Sequence, residues 1–209
     1  MKRSDLLAQQ GRQPSGILGH IVARIMARET HPANLIALEH LALQPDDRLL
    51  EVGSGHGRTL AVAAQRLTKG HLVGIDPSPV MMQIARRANA RAIRRGMMEL
   101  VLGSSDQLPF EAQRFSKVLS VHTIYFWPNP QRDLAEIYRV MKVEGQIVIG
   151  FRPSEDQAFV ENFPASVYNV RSISEVERLV NAAGFSDVKT VTKPMGKGLM
   201  AWTCGHKSS

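Results

Sequence analysis

The 209 residues suit one α/β domain, and 44% hydrophobic against 22% charged residues is ordinary for a globular chain. One cysteine, Cys204, excludes a disulfide framework and a thiolate zinc cluster. No apolar run approaches the roughly 18 residues of a membrane span, and MKRSDLLAQQGRQPSG lacks a secretory apolar core, so a cytoplasmic location is expected.

The net charge of +7 is unevenly placed. Residues 58–98 hold eight basic side chains (Arg58, Arg66, Lys69, Arg86, Arg87, Arg91, Arg94, Arg95) against one acid, Asp76, so the rest of the chain is neutral. A solvated helix face is the ordinary reading, and an anionic partner the alternative. Residues 80–98 contain no aromatic, which disfavours nucleic acid.

Residues 1–45 read as an N-terminal helical cap, and 46–209 as one globular unit. Ile17, Leu18, Ile21, Val22, Ile25 and Met26 make one apolar helical stripe. A second helix opens at Pro32 and ends before Gln44-Pro45. Such helices can be core, can roof a ligand cleft, or both. Strands are then expected at 48–52, 71–75, 99–102, 117–121 and 146–150. Helices are expected at 58–67, 79–95, 173–183 and around Leu134, Ile137, Tyr138 and Met141. Two closing strands, 188–192 and 199–203, should form a hairpin that adds an antiparallel strand at the sheet edge. Strands alternating with helices give a doubly wound, mostly parallel α/β sheet.

The stretch LLEVGSGHGRT, residues 49–59, leaves the first strand through Gly53, Gly55 and Gly57. A nucleotide-hydrolase phosphate loop would need Gly-x-x-x-x-Gly-Lys-Ser/Thr, but Arg58 stands five residues after Gly53. A dinucleotide fingerprint, Gly-x-Gly-x-x-Gly, meets Arg58 from Gly53 and Leu60 from Gly55. What remains is an acid, Glu51, two residues before alternating glycines. A carboxylate there repels a polyanion and suits a ligand with positive charge near the turn, as in the ammonium and sulfonium of S-adenosylmethionine. Asp76 closes the next apolar run, HLVGID, where a carboxylate can accept from both hydroxyls of a ribose.

With LLEVGSGHGRT, GIDPSPVMMQIARR, LGSSDQLPF, FSKVLSVHTIYFWPNP and LAEIYRVMKVEGQIVI in this order, the chain resembles class I S-adenosylmethionine-dependent methyltransferases. It is most similar to the small-molecule group that includes the ubiquinone and menaquinone C-methyltransferases. The likeness covers roughly residues 46–150 well. It implies a seven-stranded Rossmann-like sheet, six strands parallel and one antiparallel. It also implies S-adenosylmethionine as cofactor, with Glu51, Gly53, Ser54 and Gly55 at its methionine end. Asp76 would hold the ribose, with Pro77, Ser78 and Met81 around it. Where the family has an acid for the adenine amino group this chain has Ser104, followed by Ser105, with Asp106 two residues late. Ser120, at the end of the fourth strand, completes the implied cofactor set. The usual Pro-Gly-Gly is Val143-Glu144-Gly145, a change at a turn.

After the fourth strand, SVHTIYFWPNP gathers His122, Tyr125, Phe126 and Trp127 at the carboxyl edge where doubly wound folds bind ligands. In-line methyl transfer gains from placement and needs a general base only if the acceptor must lose a proton early. His122 is the candidate base and Tyr125 the candidate substrate contact, with packing as the alternative for each. Trp127 reads as core or cofactor lid, and His56 as a loop residue. Phe159, Phe163 and Tyr168 fall near the acceptor pocket or in the core. No carboxylate completes a metal site with His20 and His31. The expected function is methyl transfer to a small, largely apolar metabolite. The alternatives are an RNA or protein methyltransferase using the basic 58–98 stretch, or a non-catalytic cofactor-binding protein. Neither the acceptor nor the oligomeric state is legible.

Overall fold

A computed structural model describes residue 12 and residues 28–196 and 198–208. The apolar stripe from Ile17 to Met26, and His20, lie outside the described residues. Among the described residues the elements are α1 (His31–Leu41), β1 (Arg48–Val52), α2 (Arg58–Ala63), β2 (His71–Asp76), α3 (Pro79–Ala88), α4 (Ala90–Arg94), β3 (Met98–Leu102) and β4 (Phe115–Val121). They continue with a 3-10 turn (Ile124–Phe126), α5 (Pro130–Val140), β5 (Met141–Phe151), α6 (Gln157–Asn162), α7 (Ile173–Ala182), β6 (Phe185–Met195) and β7 (Gly198–Lys207).

The seven strands form one sheet in the order β3-β2-β1-β4-β5-β7-β6. All neighbours pair in parallel except β7, which is antiparallel to both β5 and β6. The inner strands are apolar on both faces, as parallel strands covered by helices must be. Period-two alternation sends successive residues to opposite sides. Leu50, Val52, Val73 and Ile75 join the core under α5 and α7, while Leu49, Leu72 and Leu100 join the core under α1, α2 and α3. Each such fully buried side chain contributes roughly 1.5–3 kcal/mol.

Three expectations are corrected. The helix expected over 79–95 breaks at Asn89, whose side-chain amide donates to the carbonyls of Ala85 (3.0 Å) and Gly57 (3.1 Å). An asparagine that bonds backbone groups competes with the helix ladder. The closing hairpin does not simply add its antiparallel strand at the edge: β7 inserts beside β5, and β6 takes the edge. Finally, β5 starts at Met141, which pairs with Phe115 ahead of a register shift.

The topology reverses between β1 and β4, the neighbours from which the chain winds in opposite directions. The carboxyl ends of strands at such a switch point are where doubly wound folds bind ligands. No helix among the described residues is long and apolar enough to cross a membrane.

Candidate active site

The glycine loop leaves β1 with Gly53, Gly55 and Gly57 at φ of +74°, +52° and +74°. At Gly53 a Cβ would sit 2.2 Å from Thr123 Cγ2, so the turn after β4 closes against the loop only because that side chain is missing. Gly53 and Ser54 donate their N–H groups to the Ile75 carbonyl at 2.8 and 3.1 Å, which stitches the loop to β2. Asp76, at the end of β2, accepts from the N–H of Gly55 and of Ser78, each at 2.9 Å. Its carboxylate therefore orders both the glycine loop and the start of α3. Burial raises its pKa, and those two backbone hydrogen bonds oppose the rise.

A cavity of about 310 Å³ opens over these strand ends. Ligand cavities span about 300–1,000 Å³. On one side it is lined by Glu51, Gly53, Ser54, Gly55, Asp76, Pro77 and Met81, and next to these by Ser104, Ser105, Asp106 and Asp133. The lining also includes Val52, Val121, His122, Phe126, Trp127 and Pro128, which are mostly apolar. Arg12, Thr30 and Asn34 add a contribution from the N-terminal part.

Glu51 is 4% exposed, and burial lifts its pKa to about 8; a Thr59 hydrogen bond opposes this and the Asp76 charge adds to it. Glu51 Oε2, Ser54 Oγ and Asp133 Oδ2 are buried without a hydrogen-bond partner among the described residues. Three unsatisfied polar atoms on one cavity wall are costly unless a ligand meets them. A Cβ on Gly55 would meet nothing within 4 Å, so the backbone there is open to close approach. This donor and acceptor set fits a ligand with an ammonium, a ribose and an amino-bearing base.

The serines divide. Ser104 donates to Asp106 and Ser105 to Asp133, both on the cavity wall. Ser78 instead caps α3, accepting from the Met81 N–H at 3.3 Å, and is 1% exposed. Ser120 is fully buried and bonds Thr123. Neither is among the residues that line the cavity; Ser78 stays beside Asp76 and Ser120 holds the turn after β4.

Past β4, His122 adopts a left-handed backbone at φ +59°, held by its N–H on the Gly150 carbonyl at 2.8 Å. Its Nδ1 lies 3.2 Å from the Tyr125 hydroxyl, which itself accepts from the Arg152 N–H. Burial, reinforced by the Arg152 charge, lowers the His122 pKa to about 4. The ring is therefore neutral at pH 7 but only weakly basic, and its Nδ1 is engaged with the Tyr125 hydroxyl. Tyr125 is 3% exposed and stacks with Phe126, Phe159 and Tyr168 at centroid distances of 5.8, 5.4 and 5.7 Å. Burial raises its pKa, so it keeps its proton. Tyr125, Phe159, Phe163 and Tyr168 thus form an aromatic cluster behind Phe126 of the cavity lining, which is the packing alternative for these residues. His56 lines the cavity and accepts the Arg58 N–H on Nδ1 at 3.2 Å.

Sequence reasoning missed Asn89 and Asp133, because each lies far along the chain from the loop it serves. The signal Asp133 gave is an acid on the apolar, buried face of α5, in line with Ile137 and Val140.

Comparison with known proteins agrees with this geometry. Residues 50–149 match a family described as a methyltransferase domain. The uncharacterized methyltransferase YdaC of Bacillus subtilis is 30% identical over 168 residues, covering 80% of this chain and 87% of that protein. A chloroplastic 2-methyl-6-phytyl-1,4-hydroquinone methyltransferase of Oryza sativa is 29% identical over 155 residues, 71% of this chain and 43% of that longer protein. Among solved structures, an S-adenosylmethionine-dependent methyltransferase of Thermotoga maritima, described as a possible histamine N-methyltransferase, shares 26% identity at a TM-score of 0.67. It covers 88% of this chain and 92% of its own. The chain belongs to the class I S-adenosylmethionine-dependent methyltransferases, and S-adenosylmethionine is its cofactor.

Proposed function

We propose that the protein methylates a small, largely apolar acceptor by in-line displacement. The observation that carries this reading is the apolar share of the cavity lining, Val52, Val121, Phe126, Trp127 and Pro128, with His122 among them. A mostly apolar wall with few polar groups favours an acceptor that buries hydrocarbon and is oriented by one or two hydrogen bonds. The hydroquinone named for the Oryza relative is an acceptor of this kind.

In this reading Glu51 and the Gly53–Gly55 backbone, with Ser54, hold the amino-acid end of the cofactor. Asp76, with Pro77 and Met81 beside it, meets the ribose, and Ser104, Ser105, Asp106 and Asp133 surround the adenine. When bound, the cofactor supplies a methyl group activated by a sulfonium charge. The apolar wall excludes water and sets the acceptor in line, which is where most of the acceleration arises. His122 orients the acceptor, and Arg12, Thr30 and Asn34 complete the lining around it. A macromolecular acceptor is disfavoured, because Arg86, Arg87, Arg91, Arg94 and Arg95 are exposed on α3, α4 and the turn after them, and none lines the cavity.

The test is incubation of the protein with methyl-labelled cofactor and a cell extract, followed by fractionation. Label is expected in the solvent-extractable small-molecule fraction. Label in acid-precipitable RNA or protein, falling steeply with salt, contradicts the reading, and so does the absence of any transfer across many extracts.

A further inference from the structure

We infer that Asp133, an acid of α5, accepts the amino group of the adenine, because the loop after β3 offers Ser104 in place of an acid. This rests on the reading that residues 104–106 and Asp133 surround the adenine, and it names which of them accepts. Their polar groups are not equivalent. Ser104 is exposed and donates its hydroxyl to Asp106, which is itself only half-buried. Asp106 also gives its backbone carbonyl to Arg132 Nε at 3.0 Å. Asp133, by contrast, is 2% exposed, sits on the buried face of α5 and lines the cavity. The Ser105 hydroxyl donates to its Oδ1, while its Oδ2 is buried with no partner among the described residues. A buried carboxylate oxygen in that state needs a donor. An acid on the same face as Ile137 and Val140 is otherwise out of place.

The cofactor brings three kinds of hydrogen-bond donor: an ammonium, the ribose hydroxyls and the adenine amino group. Glu51 on β1 suits the ammonium, and Asp76 on β2 suits the ribose. The charges divide in the same way. Glu51 feels the charge of Asp76, whereas Asp133 feels those of Asp106 and Arg132, so Asp133 belongs with the loop after β3 and not with the ammonium end. The donor left for it is the amino group. Its place in the first turn of α5 favours the carboxylate form, since the helix dipole is positive there. Burial raises its pKa, and the Ser105 hydroxyl opposes the rise. Ser105 is therefore a positioning residue: by engaging Oδ1 it leaves Oδ2 as the oxygen that accepts. A carboxylate accepts from an amino group and repels a carbonyl, so Asp133 also selects adenine over a 6-oxopurine.

Two measurements test this. In calorimetry, the unmodified protein is expected to bind S-adenosylhomocysteine about tenfold or more tighter than the purine analogue with hydrogen in place of the amino group, the scale of a hydrogen bond to a charged group. Asp133→Leu should bring the two ligands to equal affinity, and Ser105→Ala should narrow the ratio several-fold. Ser104→Ala and Asp106→Asn should keep the ratio, even where they weaken both ligands alike. Equal binding of the two ligands by the unmodified protein overturns the inference. A ratio lost in Ser104→Ala or Asp106→Asn but kept in Asp133→Leu also overturns it, and leaves the adenine beside this loop. A ratio kept in all four variants overturns the placing of the adenine as well. The second measurement requires no variant to fold. With nitrogen-15 in the amino group of bound S-adenosylhomocysteine, the amino protons are expected to show a nuclear Overhauser contact to the β protons of Asp133. Contacts to Ser104 or Asp106 without Asp133 overturn the inference, and contacts to none of the three overturn the adenine placing with it.

Discussion

Asp76 is asked to do two things. Its oxygens hold the Gly55 and Ser78 N–H groups at 2.9 Å, and its place on the cavity wall gives it the ribose. Asp76→Ala should therefore weaken S-adenosylhomocysteine at least 100-fold by calorimetry and also lower the thermal midpoint, because two buried N–H groups lose their acceptor at about 1–3 kcal/mol each. Unchanged binding would remove Asp76 from the site. Glu51 gives a pH signature. Its pKa in the fold is about 8 against an ordinary 4.5, so the folded state binds the proton more tightly than the unfolded chain. The contribution of Glu51 to cofactor-free stability is complete below pH 4.5 and is lost as pH rises toward 8, at up to about 1.4 kcal/mol per pH unit. Urea midpoints across that window should show the decline, and Glu51→Gln should flatten it. An ammonium beside Glu51 favours the ionised form, so S-adenosylhomocysteine should bind more tightly as pH rises to 8 and should release a proton. Calorimetry in buffers of different ionisation heat measures that release. These two acids were legible because Glu51 stands two residues before the alternating glycines and Asp76 closes the next apolar strand. The buried places of Tyr125, Ser78 and Ser120 were not legible, because nearness in sequence to a loop does not decide which way a side chain turns. His122 faces the cavity while Tyr125, three residues on, faces the core.

Elements act through their breaks as much as their spans. Asn89 ends α3 and sends its side-chain amide back to the Gly57 carbonyl, tying the helix to the glycine loop. Asn89→Ala is expected to cost roughly 1–3 kcal/mol in urea unfolding and to weaken cofactor binding several-fold as the loop loosens. A stability loss with full affinity would confine Asn89 to packing. Nothing in the periodicity of 79–95 marks this break, since the apolar stripe carries on past it to Ala92. By contrast, Ser172 and Glu175 form a capping box at the start of α7, and the Ser-x-x-Glu spacing announces it in the sequence. The hairpin of β6 and β7 was legible as a pair because its connection is short. Its place in the sheet was not, because the choice of β7 over β6 as the neighbour of β5 is a long-range pairing.

At the scale of the molecule, α1 is part of the core as well as of the site. Ala37, Leu38 and Leu41 are fully buried against the sheet, while Asn34 reaches the cavity. Trp202, fully buried on β7, donates its indole N–H to the Ala33 carbonyl at 3.1 Å and pins the helix down. Trp202→Phe should lower stability by about 1–3 kcal/mol in urea, since the indole hydrogen bond and buried volume are lost. An unchanged midpoint would mean that α1 is held by its apolar face alone. The sheet's switch point then gathers the ends of β1 to β4 around one cavity with both polar and apolar lining, and the exposed arginines of α3 and α4 are not part of that lining. The central proposal is that the polar and the apolar lining serve one reaction. A crystal structure with S-adenosylhomocysteine tests this most directly. The ribose is expected at Asp76, with the sulfur turned toward the wall of Val121, His122 and Trp127. A ribose away from Asp76, or a sulfur turned from that wall toward the arginine face of α3 and α4, would contradict it.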